Sequence, residues 1–326
     1  MRIKNNHLKT IKPNWEGNYF IDGQFSNNEK ADKQIPLSEI IRWKTTKSPW
    51  EEEKKADKFK LKVVQNNDFS SNYKDQIVWL GHSSFFIRIN GINILTDPIL
   101  NNIPFVKRQA GYCCNTAEIK NIDYILLSHG HRDHFDKKTL KTIFRNNPKV
   151  EVLCPLELSY FFVKNNIKTQ EAGWYQQYDT KAAIEIFFMP AIHWNKRGLS
   201  DFNKNLWGSF IIKTKNKTIY FAGDTSFGNH FKEIADFFPN IDIALMPIGA
   251  YKPEFIMKSN HISPWEALEL FTDLKADLFI PMHYGTYDLS DEPLGEPYRA
   301  MYEEQKNYNI KILDIGETFL LEKNNE

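Results

Sequence analysis

The run Ser128-His129-Gly130-His131-Arg132-Asp133-His134 places three of the chain's nine histidines and an aspartate almost side by side. Imidazole nitrogen and carboxylate oxygen are the donors that zinc and similar divalent ions accept, so this spacing reads as metal-binding chemistry. In extended backbone, residues i and i+2 point to the same side, so His129 and His131 can share one ion. If the chain then turns into a helix, Asp133 and His134 reach a second ion close by. Gly130 lets other groups pack tightly beside the ions. The competing reading, a solvated polar loop with incidental histidines, does not account for so many ligand-type side chains together.

Four His and Asp positions cannot close two ion sites, so more donors must come from other strand ends. His193 follows the apolar run 184–189, Asp224 follows the run ending at Phe221, and His283 follows the run 278–281. Each alone is compatible with a structural role; joined to the first motif they complete a site. His261, just ahead of Pro264, can bind an ion, cap a helix or face a substrate. His82 suits a structural or ligand-orienting role. His7 and His230 are expected to face solvent. Two divalent ions about 4 Å apart would acidify a bridging water, giving a hydroxide that attacks phosphorus or a carbonyl carbon. Asp133, Asp224 and that hydroxide set against two dications leave about one positive charge, which favours an anionic phosphodiester over a neutral amide.

The elements that must carry these residues can be read from Gln76 onward. Strands are expected at 77–80, 84–89 and 92–95, with Asn90-Gly91 as a type I′ hairpin turn. Others are expected at 122–127, 150–154, 184–189, 209–214, 218–221, 241–247 and 278–281, with helices at 137–144 and 264–274. Hairpins mixed with strand–helix alternation suit an α/β (α+β) architecture: two mixed sheets packed face to face, with helices on the outer faces. Residues 1–74 differ, being rich in Asn and Lys and dotted with isolated aromatics (Trp15, Tyr19, Phe20, Phe25, Trp43, Trp50). They are expected to form an extension wrapping a main domain at 75–326. Pro36 would open a short helix to about Trp43, and Ser48-Pro49 would stop it.

Bulk properties bound the function. Of 326 residues 41% are hydrophobic, including 24 Phe, 14 Tyr and 8 Trp, so a large core can be buried. The 42 basic and 41 acidic residues leave no cationic excess, so nucleic acid is not an expected partner and any anionic substrate must be attracted locally. Cys113, Cys114 and Cys154, an odd count with two adjacent, argue against a disulfide framework and suit a reducing, cytoplasmic setting. Cys113-Cys114 reads either as a metal or redox pair or as two small buried residues. The first residues hold no apolar signal region, and no run approaches the ~18 apolar residues of a membrane span. Membrane contact would have to be peripheral.

Further motifs follow in order: Trp79-Leu80-Gly81-His82-Ser83-Ser84, Thr96-Asp97-Pro98, His193-Trp194-Asn195-Lys196-Arg197, Leu206-Trp207-Gly208-Ser209, Ala222-Gly223-Asp224-Thr225, Pro247-Ile248-Gly249-Ala250-Tyr251 and Met282-His283-Tyr284-Gly285-Thr286. With the H-x-H-x-D-H motif at 129–134, this series resembles the metallo-β-lactamase superfamily, and within it the N-acyl-phosphatidylethanolamine-hydrolysing phospholipase D family, over roughly residues 76–298. The resemblance implies an αβ/βα sandwich with two divalent metals at one edge. It assigns His129, His131 and His193 to one zinc and Asp133, His134 and His283 to the other, with Asp224 bridging. It also puts His261 beside the substrate phosphate, and makes Asp133, Asp224 and His261 the catalytic set. Zinc suits these donors; iron and manganese accept similar sets. The implied reaction is hydrolysis of a phospholipid or other anionic ester by a metal-bridging hydroxide, with peripheral membrane contact and a homodimer left open.

The segment between Pro98 and Cys113 is shorter than the family's basic loop and keeps only Lys107 and Arg108 as adjacent charges. With Arg197 they are the candidate headgroup contacts. Ile103, Pro104, Phe105 and Val106 could admit acyl chains, touch a bilayer or pack in the core. Other readings of the same fold are a lactonase or other carbonyl hydrolase, a nuclease, and a non-catalytic metal-binding module.

Overall fold

The computed structural model describes residues 1–30, 32 and 34–321. Two seven-stranded mixed sheets dominate it, with helices outside them. From edge to edge the first runs Lys168–Ala172, Glu151–Pro155, Tyr124–Leu126, Ile92–Thr96, Ser84–Ile89, Gln76–Gly81 and Thr318–Leu320. The second runs Ala276–Met282, Ile241–Pro247, Thr218–Phe221, Ser209–Lys213, Glu185–Met189, Gln176–Gln177 and Lys9–Thr10. In each sheet the strands at one side pair parallel and those at the other antiparallel. A single hydrophobic cluster draws on both sheets, which is what a face-to-face sandwich requires.

Local chemistry explains the elements nearest the site. Asn90 and Gly91 both take positive φ (48° and 76°), so the turn's twist matches that of the flanking strands and sets the Ile89–Ile92 register. The helix Lys137–Asn146 starts where the Asp136 side chain accepts from the amides of Lys138 and Thr139, and it buries Leu140, Ile143 and Phe144. The helix Pro264–Leu274 opens on a capping box, with Ser263 and Glu266 bonding each other's backbone amides and Pro264 needing no donor.

Several elements lack the pattern expected of them. Lys168–Ala172 (KTQEA) has neither an apolar run nor alternation; it is a strand because Glu151–Pro155 offers it a parallel edge. The helix Glu296–Glu304 and the edge strand Thr318–Leu320 likewise lie outside the expected set, whereas the helix His230–Phe237 starts at His230, where a helix start is expected. His230, expected at the surface, is buried with Nε2 3.0 Å from Thr225 Oγ1, because its helix packs that face inward.

Residues 1–74 carry a three-stranded sheet of Arg2–Ile3, Asn18–Ile21 and Gln24–Ser26, and the edge strand Lys9–Thr10 of the second large sheet. The helix beginning after Pro36 spans Leu37–Thr45 and ends before Ser48-Pro49, with Thr46 already extended. A second helix, Glu51–Ala56, follows it. No helix among the described residues is long and apolar enough to cross a membrane.

Candidate metal centre

The seven candidate ligands sit at or just past the ends of strands, on one edge of the sandwich, and His261 joins them from the link between the helices Glu254–Met257 and Pro264–Leu274. Tyr124–Leu126 leads into His129, Glu185–Met189 into His193, Thr218–Phe221 into Asp224, and Ala276–Met282 into His283. Strand ends are where rigid backbone can aim side chains past the sheet without opening the ladder. Two backbone details allow the close approach. The Gly130 amide donates to Asn195 Oδ1 at 3.1 Å, and a β-carbon there would lie 2.9 Å from that oxygen. At Gly249 a β-carbon would come within 2.1 Å of the His283 carbonyl oxygen.

The imidazoles converge. His129 Nε2 lies 2.9 Å from His131 Nδ1, and His193 Nε2 lies 3.2 Å from that same nitrogen. A tetrahedral ion with bonds of about 2.0–2.1 Å would set its ligands roughly 3.3 Å apart, close to these separations. The second group is His134, His283 and Asp133, whose Oδ2 lies 3.4 Å from His134 Nε2 and 3.6 Å from His283 Nε2. Asp224 Oδ2 stands between the groups, at 3.1 Å from His134 Nε2, 3.2 Å from His283 Nε2, 3.9 Å from His193 Nε2 and 4.0 Å from His129 Nε2. Within each triad the ligand atoms all lie within 4.8 Å of one another.

Three of the far ring nitrogens are already engaged, while His283 Nδ1 and His131 Nε2 have no partner. His129 Nδ1 meets Ser128 Oγ at 2.9 Å, His134 Nδ1 donates to Asp97 Oδ2 at 2.8 Å, and His193 Nδ1 donates to the Asn260 carbonyl at 2.9 Å. Those bonds turn the three Nε2 atoms toward the centre, the arrangement by which outer hydrogen bonds orient metal ligands. His82 Nε2 lies 3.0 Å from Asp133 Oδ2, while the His82 carbonyl accepts from Trp79 Nε1 and its amide donates to Thr286 Oγ1. Held this way, His82 fixes Asp133 rather than facing the cavity.

Buried atoms without partners test whether cations fit. His134 Nε2, His283 Nε2 and Asp224 Oδ1 have no hydrogen-bond partner although each is buried, and native interiors rarely leave such groups unmatched. Burial, reinforced by neighbouring imidazoles, pushes His129 and His193 well below the ordinary imidazole range, so both offer free lone pairs. Burial works against charge on Asp133 and Asp224, yet the adjacent imidazoles outweigh it and hold both carboxyls well below their usual range. Burial likewise opposes charge on His283, but Asp224 and Asp133 raise it to about 9. The two carboxylates therefore demand positive charge beside them, which protons on His134 and His283 or bound cations can supply. His, His, His and His, His, Asp donors with a shared carboxylate fit divalent ions.

Above this floor opens a cavity of about 490 Å³. His131, Asp133, His193, Asp224 and His261 face it from below, and Ile35, Ile40, Trp43, Phe202, Ile256 and Met257 wall it. His261 Nδ1 is buried, unpartnered and 3.9 Å from Asp224 Oδ2, and burial lowers the ring's pKa to about 4. Arg132 and Lys196 line the cavity as its cations.

Of the expected headgroup contacts, none points into the cavity. Arg108 is buried and its guanidinium donates to the carbonyls of Leu80, Ile99 and Ala110, so that expectation is revised: its charge braces the 99–110 loop. Lys107 is exposed and away from the cavity lining. Arg197 donates to the Gly130 carbonyl at 3.0 Å and lies 4.6 Å from the Phe135 ring, clamping the histidine loop from behind. In the same loop Ile103 is buried against Ile99 and Tyr287, whereas Phe105 is fully exposed. Cys113 and Cys114 are both buried free thiols.

Arg132, Lys196 and the cavity wall from residues 35–43 escaped sequence reasoning. The charged pair was hidden by its neighbours Asp133 and Arg197, which carry stronger motif signals. Asn27 escaped as well: its side chain donates to the His193 carbonyl at 2.9 Å and accepts from Trp207 Nε1 at 3.2 Å, so the extension steadies a ligand loop.

A family model described as a β-lactamase superfamily domain matches residues 92–284. The chain is 31% identical over 277 residues to N-acyl-phosphatidylethanolamine-hydrolyzing phospholipase D 1 of Caenorhabditis elegans, covering 78% of each chain. It is 34% identical over 230 residues to the mitochondrial protein of that name from Saccharomyces cerevisiae, covering 67% of this chain and 49% of the yeast protein. Among solved structures it is similar to a metallo hydrolase from Ignicoccus hospitalis, with a TM-score of 0.61, 20% identity, and coverage of 76% of this chain and 99% of the other. That likeness concerns the fold.

Proposed function

The chain belongs to the metallo-β-lactamase superfamily as a metal-dependent hydrolase, and from that premise we propose that it is a phosphodiesterase acting on an N-acylated phosphatidylethanolamine or a close chemical relative. The observation that carries this reading is the composition of one cavity: a His/Asp floor, two cations, and apolar walls from Ile35, Ile40, Trp43, Ile256 and Met257. A ligand that satisfies all three has an anionic ester at one end and alkyl chains at the other.

His129, His131 and His193 would hold one divalent ion and Asp133, His134 and His283 the other, with Asp224 shared between them. Zinc is the ion these donors suit best. Bound there, the two ions would supply Lewis-acid charge and an acidified water for attack on phosphorus. Asp224 and Asp133 cancel only part of that charge, leaving the floor attractive to a phosphodiester anion. Arg132 and Lys196 extend the attraction to the cavity wall. His261 faces the same space with an unpartnered Nδ1 and a ring that is neutral near pH 7. It can therefore donate a hydrogen bond to a phosphate oxygen; to protonate the departing alcohol oxygen as the P–O bond breaks, the ring must first take up a second proton, which a phosphate anion beside it favours. The apolar wall excludes water from the rest of the substrate and sets it by burial of its chains.

The test compares hydrolysis of N-acyl phosphatidylethanolamine with that of an aryl phosphodiester and a lactone, alongside metal analysis. The lipid should be preferred, and Asp224→Asn should lose activity together with bound metal. Equal rates on all three substrates would remove the lipid assignment. Full activity of Asp224→Asn, in protein holding less than one transition-metal equivalent, would remove the two-ion centre as well.

A further inference from the structure

Two cavities share one wall. The helix Leu37–Thr45 and the short helix Glu254–Met257 bound the cavity over the metal centre with Ile40, Ile256 and Met257. On their other side lies a second cavity of about 510 Å³, bounded by Thr46, Trp50, Tyr251, Phe255 and Trp265, with five charged side chains, Lys252 and Asp291 among them, also in its lining. Trp43 belongs to both linings, so a single indole separates the two spaces.

The wall helix is built unlike a core helix. None of the residues of Leu37–Thr45 is buried, although Leu37, Ile40, Ile41 and Trp43 are apolar. An amphipathic helix normally presses its apolar face onto close-packed protein. Here Ile40 and Trp43 front open space, and Arg42 reaches across to Phe255, 4.7 Å from its ring, to tie the two wall helices together. On the far side Tyr251 and Trp265 meet edge to face at 6.2 Å, and Phe255 and Trp265 remain about half exposed, at 51% and 55%. Aromatic surface of this kind gains most from an alkyl ligand, because apolar area is removed from water without any buried polar group left unpaired.

We propose that the second cavity receives a second alkyl chain of the same lipid whose phosphodiester lies over the metal centre, with Trp43 as the partition between chains. The inference rests on the phospholipid reading above and specifies how a substrate with several chains is held. Both cavities fall in the ~300–1,000 Å³ range of sites that enclose one compact ligand, so a lipid with several chains must divide them. Continuity across one side chain makes the aromatic side of the second cavity, at Trp43, Trp50, Tyr251, Phe255 and Trp265, the nearest refuge for a chain leaving the first, with the charged side chains left to the rim. A carbonyl hydrolase acting on small polar lactones would have no use for it.

Two variants, Thr46→Phe and Phe255→Glu, narrow the second cavity or charge it from exposed positions. With each, the KM for a long-chain N-acyl phosphatidylethanolamine is measured against that for the analogue whose two glycerol-linked chains are short. The ratio of long-chain to short-chain KM should rise roughly tenfold, since losing the burial of even a couple of methylenes costs that much. An unchanged ratio in both variants overturns the proposal. A separate binding measurement uses phosphatidylethanolamine brominated on one long chain in mixed micelles, because bromine quenches tryptophan only on contact. Quenching in the wild type that falls in Trp265→Phe supports chain occupancy; no difference between the two proteins overturns it. If the wild type hydrolyses neither lipid, the phosphodiesterase reading falls, and the quenching measurement still decides whether the cavity takes a chain.

Discussion

At Asp97 one buried carboxylate serves two partners: Oδ2 accepts from His134 Nδ1 at 2.8 Å, and Oδ1 accepts from the Ser128 amide at 2.7 Å. It thereby fixes the tautomer of one candidate ligand and the backbone next to another. Asp97→Asn keeps the shape but offers a donor where an acceptor is required. Metal affinity, read by competition with a chelator, should fall about 10- to 100-fold, as expected for loss of an outer-shell partner; unchanged affinity would mean that His134 does not need this bond. His230 carries a prediction of a different kind. Burial lowers its pKa from 6.5 to about 3, so it is neutral in the folded protein at pH values where the unfolded chain takes up a proton. Its folded pKa is depressed, so its contribution to stability is complete above about pH 6.5 and is lost as pH falls toward 3. His230→Gln should therefore lose less stability than wild type between about pH 7 and pH 5, measured by denaturant midpoints. An identical loss would show that His230 is not the titrating group.

Strand ends set the geometry of the centre, and two of them meet without room for a β-carbon. Gly249, after Ile241–Pro247, faces the carbonyl of His283, after the neighbouring strand Ala276–Met282. Gly249→Ala should force the two loops apart, costing about 1–3 kcal/mol of stability by overpacking and reducing metal content through His283. A variant with wild-type melting temperature and metal content would mean that the loops are slack. The elements also show why some of the fold was legible and some not. Runs such as Ile241–Pro247 and Thr218–Phe221 announce themselves because they are buried almost throughout and, apart from Asp242 and Thr218 near their starts, are made of apolar and aromatic residues. The edge strands Lys168–Ala172 and Lys9–Thr10 do not, since edge strands answer to a neighbour's free hydrogen bonds more than to their own composition.

For the molecule as a whole, the centre is a cluster of like groups that folding forces together. Eight titratable side chains (His129, His131, Asp133, His134, His193, Asp224, His261 and His283) crowd one edge of the sandwich, and ions bound there would link its two sheets. Ions that bind only the folded state add about 2.7 kcal/mol at a hundredfold excess over Kd. Chelation should therefore lower the melting temperature by several degrees, and added zinc should restore it. A melting temperature indifferent to chelator would argue that the cluster holds protons instead. The extension takes part at this scale too: Asn27 bonds to the His193 loop, and Ile35, Ile40 and Trp43 close the cavity.

The identity of the candidate ligands was legible in one dimension because ligand chemistry depends on residue type. His129, His131, Asp133 and His134 lie close in sequence, and their partners each follow an apolar strand. The roles of Arg108, Arg197, Lys196 and Trp43 were not, because a cation on a loop reads the same whether it binds backbone carbonyls or faces a cavity. Only the packing of two sheets, and of residues 1–74 upon them, turned Arg108 inward and set Lys196 and Trp43 beside the His/Asp floor of the cavity. Burial and direction are properties of contacts between distant segments, and spacing along the chain carries no record of them.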